Sequence, residues 1–318
     1  MVEVTGIARA EREPAQLDVL IVNFNSTPLL RRCIDALRAS TAAHAIEVIV
    51  VDNASSDFSL EEMSTQYPEV LWLPQTQNLT FTGGGNVAFA HSRAELVLLL
   101  NPDTRVEPSA IDRALSLMKS MPDIVALSAY LVGPDGQLQR YYRQLPVLAD
   151  LPIILFERLF RGTSRAQRFL MLDEDFEGVT DVQQPPGAFL LLRRTAIDGG
   201  LLDSGYCNFV SDLELCERLN QAGRVVVSSD VVCHHLRAGA GVGTRDPILK
   251  LRLYHDLTWG LLRYFLPRSG QWGRVYLRAM LVLYWISRLG GLAIRRPTIA
   301  RRGLTTAARA LAGRRPVY

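Results

Sequence analysis

The first hundred residues alternate between short apolar runs and segments with helical periodicity. Four apolar runs of strand length are residues 17–24, 46–53, 70–75 and 95–103. Apolar residues at the spacing of one helical face lie between the first two runs: Leu30, Cys33, Ile34 and Leu37. Strands that alternate with helices form βαβ units. The pattern therefore predicts an α/β fold with a mostly parallel sheet flanked by helices.

The pattern becomes mixed after residue 120. Three later segments have strand patterns: residues 123–143 and 224–235, each as a pair of strands, and residues 187–194. Residues 211–223 predict a helix, which Ser211 and Glu214 would start as a capping box. No regular pattern marks residues 146–182, which we expect to form a loop near the functional site.

Polar side chains follow three of the predicted strands where each strand ends. They are Asn23 and Asn25, Asp52 and Asn53, and Asn101 and Asp103. The carboxyl ends of parallel strands meet at one edge of a sheet, and open α/β sheets bind ligands there. Asp52 is either a turn residue or a hydrogen-bond acceptor for the base or ribose of a nucleotide. A buried Asp103 needs a partner, either Arg105 or a divalent cation shared with a diphosphate.

Three consecutive glycines, residues 83–85, precede a helical stretch. Glycines let a phosphate approach the backbone, and a helix N-terminus attracts an anion. A flexible turn is the alternative. The spacing fits neither the dinucleotide fingerprint nor the P-loop, so the sequence supports neither of these nucleotide-binding classes.

Two further positions are candidates for chemistry. Asp212 lies in the first turn of a predicted helix, where the helix dipole favours a carboxylate and where a general base could face a substrate. His234 and His235 end an apolar strand, so one imidazole points inward and the other outward. The inward histidine is either a structural residue or a partner of Asp103 at a metal.

The charge of the chain is distributed unevenly. Residues 245–318 contain 15 Arg and Lys against 2 acidic residues, a net charge of +13. Because the whole chain carries +3, the first 244 residues carry −10. Near the C-terminus, basic residues alternate with apolar ones: Arg274, Arg278, Arg288, Arg295, Arg296, Arg301 and Arg302 with Trp272, Tyr276, Leu281, Leu283, Tyr284, Trp285 and Ile286.

This alternation predicts an interfacial helix on an anionic membrane surface. A packed helix with a solvated basic face is the alternative, and we expect no nucleic-acid partner because no nucleic-acid motif accompanies the charge. We expect no membrane-spanning segment and no signal peptide, and the four cysteines have no metal-ligand spacing. The expected location is cytoplasmic, peripherally attached to the inner face of the cell membrane.

Seven motifs in a fixed order carry a family resemblance: VNFNS, VDNASSD, NLTFTGGGN, LLLNPDT, GAFLLLRR, FVSDLELCERL and VVCHH. The set resembles family 2 glycosyltransferases of the GT-A fold, in the bacterial rhamnosyltransferase-like branch. The resemblance implies a Rossmann-like GT-A domain over residues 17–265. An N-terminal extension would then cover residues 1–16, and a basic amphipathic, membrane-associating region would cover residues 266–318.

The resemblance also implies roles for individual residues. Asp212 matches the general base of the family, and Asp103 with His234 matches its ligands for Mg²⁺ or Mn²⁺. His235 competes with His234 for that place. The implied nucleotide-sugar pocket comprises Asn23, Asn25, Asp52, Asn78, Gly83, Gly84, Asn86, Asn101 and Asp103.

The implied activity is inverting transfer of L-rhamnose from dTDP-rhamnose to a hydroxyl of a glycan or polyprenyl-linked cell-envelope acceptor. The sequence departs from the family where Ser211 replaces Glu, Glu214 replaces Asp, Thr80 replaces Gly and Gly85 replaces Asn. One alternative, kept open by Ser211, is a non-catalytic nucleotide-sugar-binding relative. Another is a nucleotidyltransferase, which needs an early basic motif that residues 17–30 lack. The oligomeric state is left open, a homo-oligomer included.

Overall fold

The computed structural model describes residues 15–236, 246–295 and 297–318. Nine strands of these residues form one sheet: β1 Leu17–Asn23, β2 Ile46–Asp52, β3 Leu71–Pro74, β4 Leu96–Leu100, β5 Thr104–Val106, β6 Ile124–Val132, β7 Val179–Asp181, β8 Phe189–Arg193 and β9 Arg224–His235. The helices are α1 Thr27–Arg38, α2 Leu60–Gln66, α3 Thr80–His91, α4 Ala110–Ser120, α5 Leu151–Phe160, α6 Ser164–Phe169, α7 Ser211–Ala222, α8 Pro247–Phe265, α9 Gln271–Arg295 and α10 Pro297–Leu311. The predicted N-terminal extension lies outside the described residues, except for residues 15 and 16. Arg296 of the predicted basic region also lies outside them.

The first half of the sheet is parallel, as predicted. Its strand order is β3-β2-β1-β4, and Asn23 at the end of β1 pairs with Asp52 at the end of β2. Side chains alternate between the two faces of β1: Val19 and Ile21 pack into one hydrophobic cluster, and Leu20 packs into the other. Such alternation buries both faces of a strand beneath helices.

The second half of the sheet mixes strand directions. β8 runs antiparallel between β4 and β6, whereas β9 runs parallel to β6. The short strand β5 pairs with the end of β9, opposite its two histidines. This pairing bends the chain back so that the turn after β4 lies against the C-terminal end of β9.

Two of the predicted strand pairs are wrong. Within residues 123–143 only Ile124–Val132 form a strand, β6, and the return after the turn pairs with it through a single bridge, Val132 to Leu138. Residues 224–235 form one continuous strand, because β9 stays paired with β6 across an irregularity that shifts the register near Ser228.

The segment from residue 146 to 182 is more ordered than its sequence predicts. It contains helices α5 and α6 and the short strand β7 instead of a loop. Pro152 lies in the first turn of α5, where its missing N–H costs nothing, and Thr163 caps α6 by accepting from the Ala166 N–H over 3.2 Å. The apolar residues of α5 pack against the C-terminal helices, which explains a helix where no clear periodicity is visible.

The C-terminal helices share one hydrophobic cluster with the rest of the chain. Trp285 of α9 and Leu251 of α8 pack in the same cluster as Leu213 of α7 and Leu155 of α5. The predicted boundary after residue 265 coincides with the end of α8. The basic region is therefore packed against the α/β part, with a well-buried inner face.

The three glycines lie inside α3 and not in a turn before it, and Gly84 explains why. A Cβ atom at Gly84 would lie 2.7 Å from Val22 Cγ1 and 3.3 Å from Asn53 Nδ2. Real Cβ contacts are longer than this, so α3 packs closely on β1 only because residue 84 has no side chain. The glycine serves helix–sheet packing.

We expect Gly84→Ala to lower the free energy of unfolding by about 1–3 kcal/mol, because Val22 and the sheet must shift. Gly290→Ala in α9 is the matched control: nothing lies within 4 Å of its added Cβ. Alanine there favours the helix and is expected to raise stability by up to about 1 kcal/mol. Denaturant unfolding of both variants checks this, and equal stability of the two would contradict the packing argument.

Candidate functional site

The ends of β1 and β2 form one hydrogen-bonded corner. The Asn23 side-chain amide donates to Asp52 Oδ1 over 2.8 Å, and the Ser55 N–H donates to Asp52 Oδ2 over 3.0 Å. Both Asn23 and Asp52 are buried. Protein donors therefore hold the Asp52 carboxylate in one orientation, and the lone pairs that remain on its two oxygens can accept from a ligand.

Asn25 joins the loops that follow β1 and β2. Its backbone is in the left-handed region, with φ of 49°, which asparagine tolerates better than most residues. Its Oδ1 accepts from the Ser56 N–H over 2.8 Å, and its own N–H donates to Ser55 Oγ over 2.8 Å. Asn25 thus fixes the rim of the corner next to Asp52.

The N-terminus of α3 is closed by other parts of the chain. Three consecutive N–H groups are used: Thr80 donates to Asn78 Oδ1 over 2.7 Å, Phe81 to Asn208 Oδ1 over 2.9 Å and Thr82 to the Cys207 carbonyl over 2.9 Å. An anion at a helix N-terminus needs such groups free. These three N–H groups are therefore not available to the anion that the sequence suggested for the N-terminus of α3.

Two asparagines fix α3 relative to its neighbours. Asn53, which was not among the predicted pocket residues, donates through Nδ2 to the Thr80 carbonyl over 3.0 Å. Asn86 donates through Nδ2 to the Leu202 carbonyl over 2.8 Å, and its Oδ1 accepts from the Leu202 N–H over 2.9 Å. Both ends of the Asn86 amide are thus engaged with the backbone, so its visible role is to hold α3 in place.

The turn after β4 carries the buried carboxylate of Asp103. Asn101 directly follows the strand, and its carbonyl accepts from the Thr104 hydroxyl over 2.7 Å. The Asp103 carboxylate lies beside an imidazole, with 3.5 Å between Asp103 Oδ1 and His235 Nε2. Gln139 Oε1 lies 2.8 Å from His235 Nδ1, which fixes the ring. Such a partner on the far nitrogen is typical of histidines that coordinate metals.

The structure places His235, and not His234, beside Asp103. His234 pairs with Arg105 in the β5–β9 ladder, and its Nε2 lies 3.4 Å from Glu107 Oε1. Adjacent residues of a strand point to opposite faces, so only one of the two histidines can face Asp103. The pairing of Asp103 with His234 expected from the sequence is therefore replaced by a pairing with His235.

The residues at this position fit a divalent cation shared with a phosphate ligand. Asp103 and His235 supply one carboxylate and one imidazole, and no group of three or more His, Cys, Asp or Glu side chains in the described part of the chain could hold a metal alone. Magnesium needs only one or two carboxylates when phosphates and water complete its shell, and manganese also accepts imidazole.

Asp212 lies in the first turn of α7 with part of its side chain still accessible. Its Oδ1 accepts from the Leu213 N–H over 2.9 Å. Burial raises the pKa of the Asp212 carboxyl, and the nearby Arg143 guanidinium opposes that rise. A Cβ at Gly187 would lie 3.9 Å from the Asp212 Cβ, so the chain entering β8 passes directly beside this carboxylate.

The predicted capping box at this helix is wrong. The N-cap is Val210, and the Ser211 hydroxyl is buried with no hydrogen-bond partner in the described structure. Glu214 pairs with Arg218 one turn later, with 2.8 Å between Oε1 and Nε. A capping box therefore does not hold the start of α7. Contacts with another part of the chain must fix the backbone before Asp212.

One face of α8 holds the segment that leads into Asp212. Asp256, Trp259, Gly260 and Arg263 recur at helical spacing along this face. Asp256 Oδ2 accepts from both the backbone and the side-chain N–H of Asn208, over 3.1 and 2.9 Å. The Trp259 indole donates to the Gly205 carbonyl over 2.9 Å.

Gly260 completes this contact by close packing. A Cβ at this position would lie 2.6 Å from Val210 Cγ2. Val210 itself has φ of 69°, an unusual backbone conformation for a β-branched residue. The sequence signals no such role for Asn208, Val210 or Asp256, since each acts through a partner far along the chain.

The C-terminus of the chain also reaches this contact. The Tyr318 hydroxyl donates to Asp256 Oδ2, and His255 Nε2 lies 2.7 Å from the Arg314 carbonyl oxygen. Burial raises the pKa of Asp256, and donors from Tyr318 and Asn208 oppose that rise. The last residues of the chain are thus part of the support beneath the candidate site.

The fold resembles solved glycosyltransferases of the GT-A type. A mannosyltransferase from Pyrobaculum calidifontis in complex with GDP-Man and Mn²⁺ aligns over 95% of this chain and 86% of its own, with a TM-score of 0.51 and 16% identity. Staphylococcus aureus TarS 1-349 in complex with UDP aligns over 93% and 80%, with a TM-score of 0.51 and 14% identity. At such identities the likeness concerns the fold alone.

Sequence similarity adds the family. The N-acetylglucosaminyl-diphospho-decaprenol L-rhamnosyltransferase of Mycobacterium tuberculosis is 29% identical over 307 residues, which are 91% of this chain and 94% of that protein. The O-antigen biosynthesis protein RfbC of Myxococcus xanthus is 32% identical over 68% of this chain and 17% of its own length. The family model "Glycosyl transferase family 2" matches residues 18–198, more than half of the chain, and the chain therefore belongs to that family.

Proposed function

We propose that this glycosyltransferase moves L-rhamnose from dTDP-rhamnose to a hydroxyl of a polyprenyl-diphosphate-linked glycan, with inversion. The observation that carries the proposal is the Asp212 carboxylate, recessed at the start of α7 beside Gly187, with a raised pKa. The Mycobacterium tuberculosis relative supports the choice of sugar and acceptor, because its similarity extends over 91% of the chain.

Asp212 acts as the general base in this proposal. It accepts the proton of the acceptor hydroxyl as that oxygen attacks the anomeric carbon of the donor sugar. The bond from that carbon to the diphosphate oxygen breaks in the same step, and the nucleoside diphosphate leaves with the electron pair. A single in-line displacement inverts the anomeric configuration. A raised pKa suits this role, since a base works best when its pKa approaches the working pH.

The donor would occupy the edge formed by β1, β2 and the turn after β4. Asp52, held by Asn23 and Ser55, would accept hydrogen bonds from the base or ribose. Asp103 and His235 would hold a Mg²⁺ or Mn²⁺ ion against the diphosphate. When bound, such an ion offsets the negative charge that develops on the leaving diphosphate. His235 replaces His234 in this role because it is the histidine that faces Asp103.

Asp212→Asn is expected to lower kcat by about 10²- to 10⁴-fold while nucleotide binding stays close to wild type. The exposed Asp230→Asn on β9 is the matched control and should keep full activity. Transfer rates and calorimetric titration with dTDP measure both effects. Near-normal turnover by Asp212→Asn would contradict the base assignment, whereas dTDP binding without transfer by the wild type would favour the non-catalytic alternative.

The same variant gives an independent stability readout, because burial raises the pKa of Asp212 in the folded protein. A raised folded pKa means that the ionised carboxylate costs stability at neutral pH, and this cost disappears as the pH falls below the unfolded value near 3.8. Asp212→Asn should therefore raise the melting temperature at pH 7 and change it little near pH 4. For the wild type, kcat should fall as the pH drops through the raised pKa.

The two histidines provide a matched test of the cation site. His235→Ala should raise the Mn²⁺ concentration needed for half-maximal transfer by about tenfold or more, since it removes one of two protein ligands. His234→Ala should change it little, because His234 faces Glu107. Metal titrations of both variants at saturating donor check the assignment, and a larger effect of His234→Ala would reverse it.

The C-terminal region supports a location at a membrane surface. The outer face of α9 exposes a stripe of apolar residues at helical spacing, here called the α9 stripe: Trp272, Val275, Tyr276, Val282, Leu283 and Ile286. Trp272 is 82% exposed and Ile286 is 62% exposed. Arg274 and Arg278 are exposed on the same helix. Among the described helices, none combines the length and apolarity needed to span a bilayer.

Part of the predicted interfacial set lies elsewhere. Leu281, Tyr284 and Trp285 are buried in the core with α8 and α5, and Arg288 stacks on the Tyr284 ring. α9 therefore has two apolar faces, one packed and one exposed. An anionic membrane would cover the exposed stripe and attract the flanking arginines.

The double variant W272E/I286E should weaken binding to vesicles that contain anionic phosphatidylglycerol by about tenfold or more, because two large apolar side chains no longer enter the interface. Leu60→Glu is the control, since Leu60 is also exposed but lies on α2. Co-sedimentation with anionic and with neutral vesicles measures the effect. Equal loss of binding in both variants would exclude the α9 stripe as the contact.

A further inference from the structure

A cavity of about 600 Å³ lies beside the candidate site and has no assigned ligand. Its lining includes Gln139, Arg140, Arg143, Glu157 and Arg161. A cavity of about 580 Å³ near Asp18 and Arg93 lies at the opposite edge of the sheet, where the strands begin. Of these two cavities, only the first is lined by residues that interact with His235 and Asp212, namely Gln139 and Arg143.

Two walls of this cavity connect it to the reacting groups. The Gln139 side chain contacts the His235 ring and donates through Nε2 to the His235 carbonyl over 2.8 Å. Arg143 pairs with Gln184 through two backbone hydrogen bonds of 3.0 and 2.8 Å. Gln184 lies three residues before Gly187, which passes beside Asp212. The cavity is thus bordered by the proposed diphosphate site on one side and by the proposed base on the other.

The three arginines of the cavity differ in the partners that their guanidinium groups have. Arg161 forms an ion pair with Glu157. Arg140 donates to the carbonyl oxygens of Leu172 and Glu174 over 3.1 and 2.9 Å and faces the Phe176 ring. Within the described residues, the Arg143 guanidinium makes no hydrogen bond or ion pair, although it interacts electrostatically with Asp212. Arg143 therefore presents a half-buried cation to the cavity.

A phosphate is the ligand that suits such a group. The guanidinium fork matches phosphate oxygens in geometry and charge, and partial burial strengthens the attraction. A divalent cation would instead be repelled by Arg143, because the Glu157 carboxylate of the lining is already paired with Arg161. The other carboxylate of the lining, Asp135, is exposed to solvent.

The helices around the cavity indicate which phosphate group Arg143 would bind. α5 supplies Glu157 and Arg161 to the cavity, and its other residues pack against α9. Arg288 of α9 donates to the Leu155 carbonyl of α5 over 3.3 Å. The cavity thus has the segment beside Asp212 on one side and α5 on the other, and α5 packs against α9, the helix that carries the exposed α9 stripe. In a lipid-linked acceptor, the diphosphate lies between the lipid and the sugar whose hydroxyl reacts.

We propose that Arg143 binds the diphosphate of the lipid-linked acceptor in this cavity, one sugar away from the hydroxyl that Asp212 deprotonates. This inference rests on the proposed function and specifies its acceptor subsite. It assigns Arg143 to the acceptor and not to the nucleotide donor, whose diphosphate would lie at Asp103 and His235.

The test compares two acceptors that differ only in the phosphates: a short prenyl-diphospho-N-acetylglucosamine and a prenyl N-acetylglucosaminide without phosphate. Arg143→Gln should raise KM for the first by about tenfold to a hundredfold. KM for the second acceptor and for the donor should stay within about twofold. Arg143→Lys should recover part of the loss, and Arg38→Gln, in the cavity at the opposite edge of the sheet, should have little effect on either KM.

Several outcomes would overturn the inference. An equal loss with both acceptors would mean that Arg143 acts only through Asp212 or the fold, and a raised donor KM would place Arg143 at the leaving diphosphate. A wild-type protein that uses both acceptors equally well would refute the subsite while leaving the proposed function intact. A wild-type protein that transfers to neither acceptor would refute the proposed function and this inference with it.

Discussion

The buried carboxylate of Asp256 is the constraint on which the site depends. It is fully buried, and its Oδ2 holds Asn208 through two hydrogen bonds. Asn208 in turn accepts the Phe81 N–H at the start of α3 and precedes Asp212 by four residues. Burying a carboxylate is unfavourable unless donors surround it. Here the donors to Oδ2 connect the glycine-rich helix, the segment before Asp212 and Tyr318 to α8.

The same region holds conformations that are unfavourable by themselves. Val210 adopts a left-handed backbone conformation, a strain of about 1–3 kcal/mol, immediately before the segment of Asp212. Burial raises the pKa of Asp212, so its ionised form also costs free energy. The packing of Gly260 against Val210 keeps the strained turn in place. The site is therefore maintained by α8 and the C-terminal residues, and the amphipathic helix α9 places this support next to its exposed stripe.

The parallel half of the sheet and the positions of its polar ends follow from the amino-acid sequence alone. Apolar runs bury a strand on both faces, and a carboxylate or amide directly after such a run must lie at the strand end. Asn23 and Asp52 therefore meet as predicted, and the one-residue alternation along β9 requires that only one of its two histidines faces inward. The ordered motifs also identified the family, because their combination is far more specific than any one of them.

Which side chains of different helices and strands meet follows from the packing of the folded chain. The register of β5 against β9 selects His235 over His234 as the partner of Asp103, and a shift of one residue would reverse that choice. Ser211 and Glu214 match a capping box in sequence, yet α8 holds the preceding segment and leaves the box unformed. No sequence pattern predicts a binding role for Arg143, because a bridge to Gln184 brings it towards Asp212. Local patterns report burial and periodicity, whereas contacts between distant segments follow from the packing of the whole domain.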